Sequence, residues 1–252
     1  MTSEKSNWFA GQPLIMNKCN NCDLAVASPR PERNALYENF LSGHESAQKA
    51  VERKIARPNV MAVHEKAVQH AMKFRPKAKW LFDMGCGAGT IMEAAKKNGL
   101  KAGGNDINKS GIERLEKLGF EAFHGFTNQL KLPKDKYDIV INFDYLEHSY
   151  EPYQDLVTSN EILKDDGIIY LKTLYLDCPD HILKGHAYQL FGQGHFSYFP
   201  ARTLCSMMHS AGFDIEELRL GQLIFITARK KRKPSKKIEQ HYSLENANVV
   251  IS

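Results

Sequence analysis

Short apolar runs alternate with helical patterns from about Trp80 to Arg229, and this alternation determines the class of fold. The apolar runs are KWLFDMG, LKAGGND, FEAFHG, YDIVINFDYLEH and DDGIIYLKTL, and most of them are separated by segments with apolar residues at helical spacing. Strands joined by such helices pair in parallel through right-handed crossovers, so both faces of their sheet are covered. The sequence therefore predicts an α/β fold with a doubly wound, Rossmann-like sheet. Two later stretches, DIEELRL and LIFITARK, predict an antiparallel pair at one edge.

The rest of the chain predicts additions around this region. Residues 1–34 are polar and read as an irregular segment, whereas 35–75 have apolar residues at three- and four-residue steps and predict a helical N-terminal lead-in that acts as a lid. The alternating region then covers 76–229, with an insertion at 177–200 that is rich in aromatic residues and glycine. We expect the basic tail, 230–252, to be disordered.

Composition favours an ordinary soluble protein. The chain has 252 residues, of which 42% are hydrophobic and 25% charged. It has no run of eighteen apolar residues and no secretory signal at its first residues, so we expect a cytoplasmic protein without a membrane partner. The five cysteines are scattered, and we expect them to be reduced.

The charge of the chain bears on a nucleic-acid partner. The net charge is +5, and most of the excess lies in one run, RKKRKPSKK, from Arg229 to Lys237. Without that run the protein is close to neutral. Because a basic terminal run is more often a solvated end than a binding surface, we do not expect a nucleic-acid partner.

A glycine-rich turn follows the first strand of the alternating region. Gly85, Gly87 and Gly89 in FDMGCGAGT allow sharp backbone conformations and close approach to a ligand at the edge where such sheets bind ligands. Asp106, at the end of the second strand, is placed to accept hydrogen bonds from both hydroxyls of a ribose. A dinucleotide site would have the spacing G-x-G-x-x-G, and Asp83 would repel its diphosphate. Asp83 instead suits a ligand with ammonium and sulfonium charges, which disfavours a dinucleotide oxidoreductase.

An ordered series of motifs resembles the class I S-adenosylmethionine-dependent methyltransferases. WLFDMGCGAGTIMEAAKKNGLKAGGNDIN is similar to their motifs I and II, YDIVINFDYLEHSYEP to their motif IV strand, and EILKDDGIIYLKT to the strand that follows. The resemblance implies a seven-stranded sheet, mostly parallel with a reversed C-terminal edge strand. It also implies S-adenosylmethionine as cofactor and S-adenosylhomocysteine as product.

The resemblance further implies which residues contact the cofactor. Residues of the glycine turn would surround the methionine part, Asp106 the ribose, and Phe126 and Thr127 the adenine, while Asp144 would face the methionine part or the substrate. The full expected set is Asp83, Gly85, Cys86, Gly87, Gly89, Asp106, Ile107, Phe126, Thr127, Asp144 and Tyr145.

Three side chains are candidates for the chemical step. The cofactor's methyl group is already activated, so the protein must mainly align the acceptor atom and exclude water, and a histidine can take the acceptor's proton near neutral pH. His148 follows the motif IV strand, Glu147 beside it can orient it or serve as base, and His195 lies in the insertion. The alternatives are a Glu-His pair that only fixes the loop, and a histidine that caps the helix near Ala201.

The acceptor pocket is expected in the insertion and the lead-in. GHFSYFPARTLCSMMHSAGF is similar to the branch that includes ubiquinone-type O-methyltransferases and sugar or natural-product methyltransferases, in which such an insertion covers the acceptor. The expected substrate contacts are Tyr37, His44, His186 and Tyr198.

A C-x-x-C pair in the N-terminal segment leaves three interpretations. Cys19 and Cys22 resemble the second half of a small zinc ribbon found in some related methyltransferases, but zinc normally takes four ligands and a second pair is missing. A remnant turn without metal is favoured over a zinc site and over a redox pair, so no metal ligands are predicted.

The function predicted from the sequence is methyl transfer to oxygen or nitrogen of a small-molecule or carbohydrate-like acceptor. The alternative is an RNA methyltransferase that uses the basic tail. It is disfavoured because FDYLEHSY has no proline at the turn where base-flipping enzymes carry an Asn-Pro-Pro-Tyr loop. The sequence specifies neither the acceptor nor the oligomeric state.

Overall fold

The structure is a computed structural model, and it describes most of the alternating region. The described residues are 2–3, 14–30, 32–33, 59–185, 194–235, 238 and 247–251. Three of the expected substrate contacts, Tyr37, His44 and His186, lie outside them. No helix in these ranges is both long and apolar enough to cross a membrane.

The secondary structure agrees with the alternation in the sequence. The strands are β1 (Thr2–Ser3), β2 (Leu14–Lys18), β3 (Ala25–Ser28), β4 (Trp80–Met84), β5 (Lys101–Asp106), β6 (Glu121–His124), β7 (Tyr137–Phe143), β8 (Leu163–Leu174), β9 (Ser197–Tyr198), β10 (Phe213–Leu220), β11 (Leu223–Lys230) and β12 (Asn248–Ile251). The helices are α1 (Val60–Phe74), α2 (Thr90–Lys97), α3 (Lys109–Lys117), α4 (Pro152–Ile162), α5 (Pro179–Lys184) and α6 (Ala201–Ser210). Two short 3-10 helices cover Thr127–Gln129 and Leu146–His148.

The larger sheet has the strand order β12-β10-β11-β8-β7-β4-β5-β6. β4 pairs in parallel with β5 and with β7, β5 pairs in parallel with β6, and β10 pairs antiparallel with β11. This confirms the doubly wound, Rossmann-like sheet and the reversed strand near its C-terminal edge. Seven of its strands are those expected from the sequence.

The eighth strand corrects the expectation for the tail. Asn248–Ile251 lies in the segment expected to be disordered, yet it forms β12 and pairs in parallel with β10. The run NVVI is mostly apolar and rich in β-branched residues, so it suits a strand that pairs with β10 and forms the edge of the sheet.

The chain divides into two compact units. The first contains Met1–Pro31, Phe143–Asn160 and Leu171–Ser252, and the second contains Glu32–Asn142 and Glu161–Tyr170. In the second unit Leu81, Phe82, Ile139 and Ile141 have no exposed surface. Strands buried on both faces are continuously apolar, which explains why these runs stand out in the sequence.

A buried carboxylate joins three segments of the second unit. Asp138, 5% exposed, accepts hydrogen bonds from the backbone N–H groups of Lys79 (2.9 Å) and Trp80 (3.0 Å), and from Nζ of Lys164 (3.1 Å). Burial alone would raise the pKa of Asp138, but these donors outweigh it and lower the pKa. The carboxylate therefore stabilises the start of β4 against β7.

A smaller sheet in the first unit corrects the expectation of an irregular N-terminal segment. Its order is β1-β2-β3-β9, with antiparallel pairing throughout. Alternate residues of β3, Ala25 and Ala27, are buried in an apolar cluster with Leu174, Cys178 and Tyr198. The insertion supplies β9, so the partner that completes this sheet lies far away in the sequence.

Candidate functional site

The glycine turn after β4 has the backbone that its residues require. Gly85, Gly87 and Gly89 have φ values of 67°, 52° and 77°, a region that side chains disfavour. The N–H of Cys86 donates to the carbonyl of Asn105 (2.9 Å), and the N–H of Gly89 donates to the carbonyl of Cys86 (2.7 Å). Helix α2 then begins at Thr90, so its first amides lie next to the turn.

Two further glycines let neighbouring backbone approach this turn, and the sequence analysis missed both. A Cβ at Gly111 of α3 would lie 2.5 Å from the carbonyl oxygen of Gly87, and one at Gly104 of β5 would lie 2.9 Å from that of Asp83. Real Cβ atoms essentially never come so close. The consecutive glycines in KAGGND were the available signal for Gly104.

Asp106 ties the end of β5 to the turn. Its Oδ2 accepts a hydrogen bond from the N–H of Gly87 (2.8 Å), and its Oδ1 accepts one from the N–H of Asn108 (2.7 Å). Asn108 in turn caps α3, since its Oδ1 accepts from the N–H of Gly111 (3.2 Å). Both oxygens of Asp106 are therefore held by backbone N–H groups at the edge where the glycine turn lies.

A buried pair holds the loop that follows β6. Nδ2 of Asn105 donates to the hydroxyl of Thr127 (2.9 Å), and that hydroxyl donates to Oδ1 of Asn105 (3.1 Å). Thr127 has no exposed surface, so its side chain positions the loop. The neighbouring Phe126 ring is half-buried, with the guanidinium of Arg33 5.9 Å from its centroid.

Two side chains brace the glycine turn and the start of α2. Arg114 donates to the carbonyl of Ala88 (2.8 Å) and pairs with Glu93 (2.7 Å). Nδ1 of His64 lies 2.8 Å from Oγ1 of Thr90, so α1, the described part of the predicted lead-in, meets the first residue of α2. Neither Arg114 nor His64 was expected at the site.

In the first unit, Asp144 and Tyr145 directly follow β7 and have different environments. Asp144 has φ 51° and pairs with Nζ of Lys172 at 2.5 Å, while about half of its side chain is exposed. The hydroxyl of Tyr145 donates to Oδ2 of Asp155 (3.0 Å), which also accepts from Ser149 (2.5 Å). Tyr145 therefore fixes the loop, whereas Asp144 presents a carboxylate to solvent.

The three candidates for the chemical step come together in this unit. One nitrogen or oxygen atom from each of Glu147, His148 and His195 lies within 4.8 Å of the other two. The imidazole rings are 4.7 Å apart between centroids, at 46°. The N–H of Phe196 donates to the carbonyl of Glu147 (2.7 Å), which keeps the His195 segment beside the Leu146–His148 turn. We call these three residues the Glu-His-His cluster.

Glu147 is the buried member of the Glu-His-His cluster. It is 1% exposed, and its Oε2 accepts a hydrogen bond from the hydroxyl of Thr173 (2.8 Å). Burial raises the pKa of Glu147 to about 7, with the charge of Asp144 acting in the same direction. A backbone hydrogen bond, the Thr173 hydroxyl and His195 limit the rise. A carboxyl group titrating near neutral pH is typical of functional sites.

His148 has one ring nitrogen committed to the backbone. Its Nδ1 lies 2.9 Å from the carbonyl oxygen of Gly194. Because a carbonyl only accepts, Nδ1 carries the hydrogen in the neutral ring and Nε2 carries a lone pair.

Tyr198 lies in the core, which corrects the expectation that it contacts the substrate. It is 1% exposed and packs in the apolar cluster with Ala25 and Leu174. Its hydroxyl donates to the carbonyl of His195 at 3.3 Å. The Tyr198 side chain therefore supports the segment that carries His195.

The C-x-x-C turn joins β2 and β3. Backbone N–H donors at Asn21 and Cys22 lower the pKa of Cys19, whereas burial raises that of Cys22. Within the described residues, no third histidine, cysteine or carboxylate joins the pair to make a metal-binding group.

Comparisons with known proteins identify the family to which this chain is similar. A sequence model of the family described as "Methyltransferase domain" matches residues 52–218. A ubiquinone biosynthesis O-methyltransferase of Pelagibacter ubique is 28% identical over 123 residues, which cover 44% of this chain and 47% of that protein. One of Actinobacillus pleuropneumoniae serotype 7 is 27% identical over 109 residues, 38% of this chain and 46% of that protein. The chain thus spans about half the length of these curated relatives.

Solved structures share the fold at low sequence identity. The 1,6-didemethyltoxoflavin-N1-methyltransferase of Burkholderia thailandensis, solved with S-adenosylhomocysteine and its substrate, has a TM-score of 0.60 and 15% identity, over 86% of this chain and 99% of that one. A SAM-dependent methyltransferase of Thermotoga maritima, described as a possible histamine N-methyltransferase, has a TM-score of 0.55 and 17% identity, over 78% of this chain and 99% of that one.

Proposed function

Because this chain belongs to the methyltransferase domain family, among the class I S-adenosylmethionine-dependent methyltransferases, we propose that it methylates oxygen or nitrogen of a small-molecule or carbohydrate-like acceptor. The observation that carries the proposal is the glycine turn, with its three left-handed glycines and the Asp106 carboxylate bonded to the N–H of Gly87.

The second unit supplies the proposed cofactor contacts. Gly85 and Gly87 adopt backbone angles that side chains disfavour, and their backbone would approach the methionine part closely, whereas Leu115 occupies the space of a Cβ at Gly89. The Asp106 carboxylate, held at the end of β5, would accept hydrogen bonds from the two ribose hydroxyls, and the half-buried Phe126 ring would contact adenine. Bound S-adenosylmethionine supplies a methyl group on a sulfonium, which is a good leaving group.

The Glu-His-His cluster of the first unit supplies the proposed acceptor contacts. Nε2 of His148 has the lone pair needed to take a proton from an acceptor hydroxyl or amine. Glu147 would hold the proton-accepting side chains in place, since its carboxylate is itself fixed by Thr173. The names of the ubiquinone-type relatives support a small acceptor methylated at oxygen.

The first experiment is a calorimetric titration with S-adenosylhomocysteine. We expect the wild-type protein to bind it and Asp106→Ala to bind it at least about tenfold more weakly, since hydrogen bonds to a charged group contribute about 1.5–3 kcal/mol. Asp165→Ala, at an exposed position near the start of β8, is the matched control and should bind normally.

A second variant separates binding from folding. Asp106→Asn keeps the size of the side chain but replaces one accepting oxygen with a donating NH2 group, so it should weaken binding and lower the free energy of unfolding by about 1–3 kcal/mol. A cooperative unfolding transition would show that the variant is folded, so that its loss of binding is not caused by unfolding. Absence of binding by the wild-type protein at millimolar S-adenosylhomocysteine would refute the proposed function.

A further inference from the structure

We propose that Glu147, His148 and His195 form a binding site for a divalent transition-metal ion. One potential ligand atom of each lies within 4.8 Å of the other two, and no other such group of three occurs among the described residues. The sequence analysis predicted no metal ligands, because two of these residues are adjacent and the third is almost fifty positions away.

The donor atoms indicate the class of metal. Two imidazoles and one carboxylate form a set that binds zinc and non-haem iron, whereas magnesium prefers oxygen ligands. Ligand bonds of about 2.0–2.1 Å in a tetrahedral site place ligand atoms about 3.4 Å apart. The ligand atoms of the cluster lie within 4.8 Å of one another, and His148 and His195 reach solvent, so small side-chain rotations can bring them to this separation around an ion.

Hydrogen-bond partners of the cluster orient its side chains in the way that such partners orient the ligands of a metal ion. His148 donates its Nδ1 hydrogen to the carbonyl of Gly194, which leaves Nε2 as a donor atom for the ion. Oε2 of Glu147 is held by the hydroxyl of Thr173, which fixes the plane of the carboxylate. In metal sites, such partners set the tautomer and direction of each ligand and are part of the site.

The charge of the cluster favours a cation. Glu147 is 1% exposed, and burying a carboxylate is costly unless a positive charge or strong donors compensate it. Its carboxylate receives a backbone hydrogen bond and one from the neutral hydroxyl of Thr173, and burial outweighs both. An ion shared with two neutral imidazoles would offset this cost.

Three protein ligands leave at least one position open on the ion. If the proposed methyl transfer is correct, that position would take the oxygen of the acceptor and lower the pKa of its hydroxyl, whose proton would pass to solvent water. Nε2 of His148 would then be a ligand of the ion, so the ion would replace it as the group that activates the acceptor. This consequence rests on the proposed function, but the metal site does not.

The test is a titration of tag-free protein with Zn²⁺ alone, by calorimetry. The parent for all variants carries Cys19→Ser and Cys22→Ser, so that the thiol pair contributes no zinc binding. We expect one equivalent of Zn²⁺ per chain, much weaker binding of Mg²⁺, and visible d–d absorption when Co²⁺ replaces zinc.

Three variants of the cluster and one control decide the assignment. Glu147→Gln, His148→Gln and His195→Gln should each weaken Zn²⁺ binding at least about tenfold. His209→Gln, at a histidine of the same unit outside the cluster, should not. His148 and His195 reach solvent, so their variants test the site even if Glu147→Gln unfolds. No Zn²⁺ binding by the parent, or unchanged binding in both histidine variants, would overturn the proposal.

Two measurements distinguish a wrong metal site from a wrong proposed function. Titration with S-adenosylhomocysteine in the presence of a chelator measures cofactor binding without metal. Cofactor binding without Zn²⁺ binding rejects the metal site only, and the reverse result rejects the methyltransferase proposal only.

Discussion

Glycines at the turn are required for two different physical reasons. Gly85, Gly87 and Gly89 adopt backbone angles that side chains disfavour, whereas Gly104 and Gly111 are needed because other backbone approaches them closely. The first kind could be predicted from spacing, since a glycine cluster after an apolar strand predicts a sharp turn. The second kind depends on how β5 and α3 pack against the turn, which the sequence alone does not specify.

Replacing Gly111 tests the close approach. In Gly111→Ala the new Cβ would lie 2.5 Å from the carbonyl oxygen of Gly87, so α3 or the turn must shift. We expect the free energy of unfolding to fall by about 1–3 kcal/mol, as for other overpacked sites. Urea unfolding measures the change, and Ser110→Ala on the same helix should stay within about 0.5 kcal/mol of the wild type. If the two variants are equally stable, the turn or α3 can shift at little cost in free energy, and the close approach does not require glycine.

Asp138 provides a pH-dependent test in the second unit. Its pKa is lowered in the folded protein, so its contribution to stability is complete above the unfolded pKa of about 3.9 and is lost as pH falls through the folded pKa. Asp138→Asn should therefore lower the free energy of unfolding by about 1–3 kcal/mol at pH 7. The difference from the wild type should shrink below about pH 4. Asp165→Asn, at an exposed acid, should show no such pH dependence, and a constant difference for Asp138→Asn would contradict the assignment.

Candidate site residues that lie at or after the end of a strand could be predicted from the sequence. Asp106, Glu147 and His148 lie at or just after strand ends, so the strand pattern located them. Asn105, Arg114 and Thr173 were missed because their role is to hold other groups, through contacts between segments far apart in the sequence. Such contacts leave no periodic signal.

At the scale of elements, the strands and helices of the alternating pattern were predicted, whereas β3, β9 and β12, which lie outside that pattern, were not. β4, β7 and β8 are continuous apolar runs, and α2 and α3 have clear helical spacing. β3 and β9 have only four and two residues, and they pair across 173 positions of sequence, Ala25 with Tyr198. A strand so short becomes recognisable only when its partner is known.

Tyr198 tests the small sheet and the corrected position of this residue. Tyr198→Ala should lower the free energy of unfolding by about 3–5 kcal/mol, since it leaves a cavity in the apolar cluster. Tyr198→Phe keeps the ring and loses only the 3.3 Å hydrogen bond to the His195 carbonyl, so it should cost no more than about 1.5 kcal/mol. Thermal and urea unfolding measure both. If Tyr198→Ala is as stable as the wild type, Tyr198 does not support the core, and the expectation that it contacts the substrate would stand.

At the scale of the whole molecule, the basic run is less available to nucleic acid than its sequence implies. Arg229 pairs with Glu216 (2.5 Å) and Arg232 pairs with Asp214 (2.7 Å). Two of the cations counted toward the tail are therefore partly neutralised by the strand beside them. The alternative of an RNA methyltransferase loses support accordingly.

A shortened chain tests what the tail contributes. A protein ending at Ser235 keeps the hydrogen bond from the Tyr153 hydroxyl to the Ser235 carbonyl (2.6 Å) and loses β12. Because the side chains of β12 are exposed, we expect the free energy of unfolding to change by no more than about 1 kcal/mol. S-adenosylhomocysteine binding should also be unchanged. Strong, salt-sensitive RNA binding that disappears on truncation would instead support the alternative.

The pairing of β3 with β9 bears on how this chain can be recombined with its relatives. The family match begins at residue 52, yet β3 precedes it, and the N–H of Ala27 donates to the carbonyl of Phe196 next to His195. A chimera that exchanges the segment around His195 for that of a homologue would leave β3 without its edge partner. Exchanging the segment that carries β9 therefore requires exchanging β2 and β3 with it.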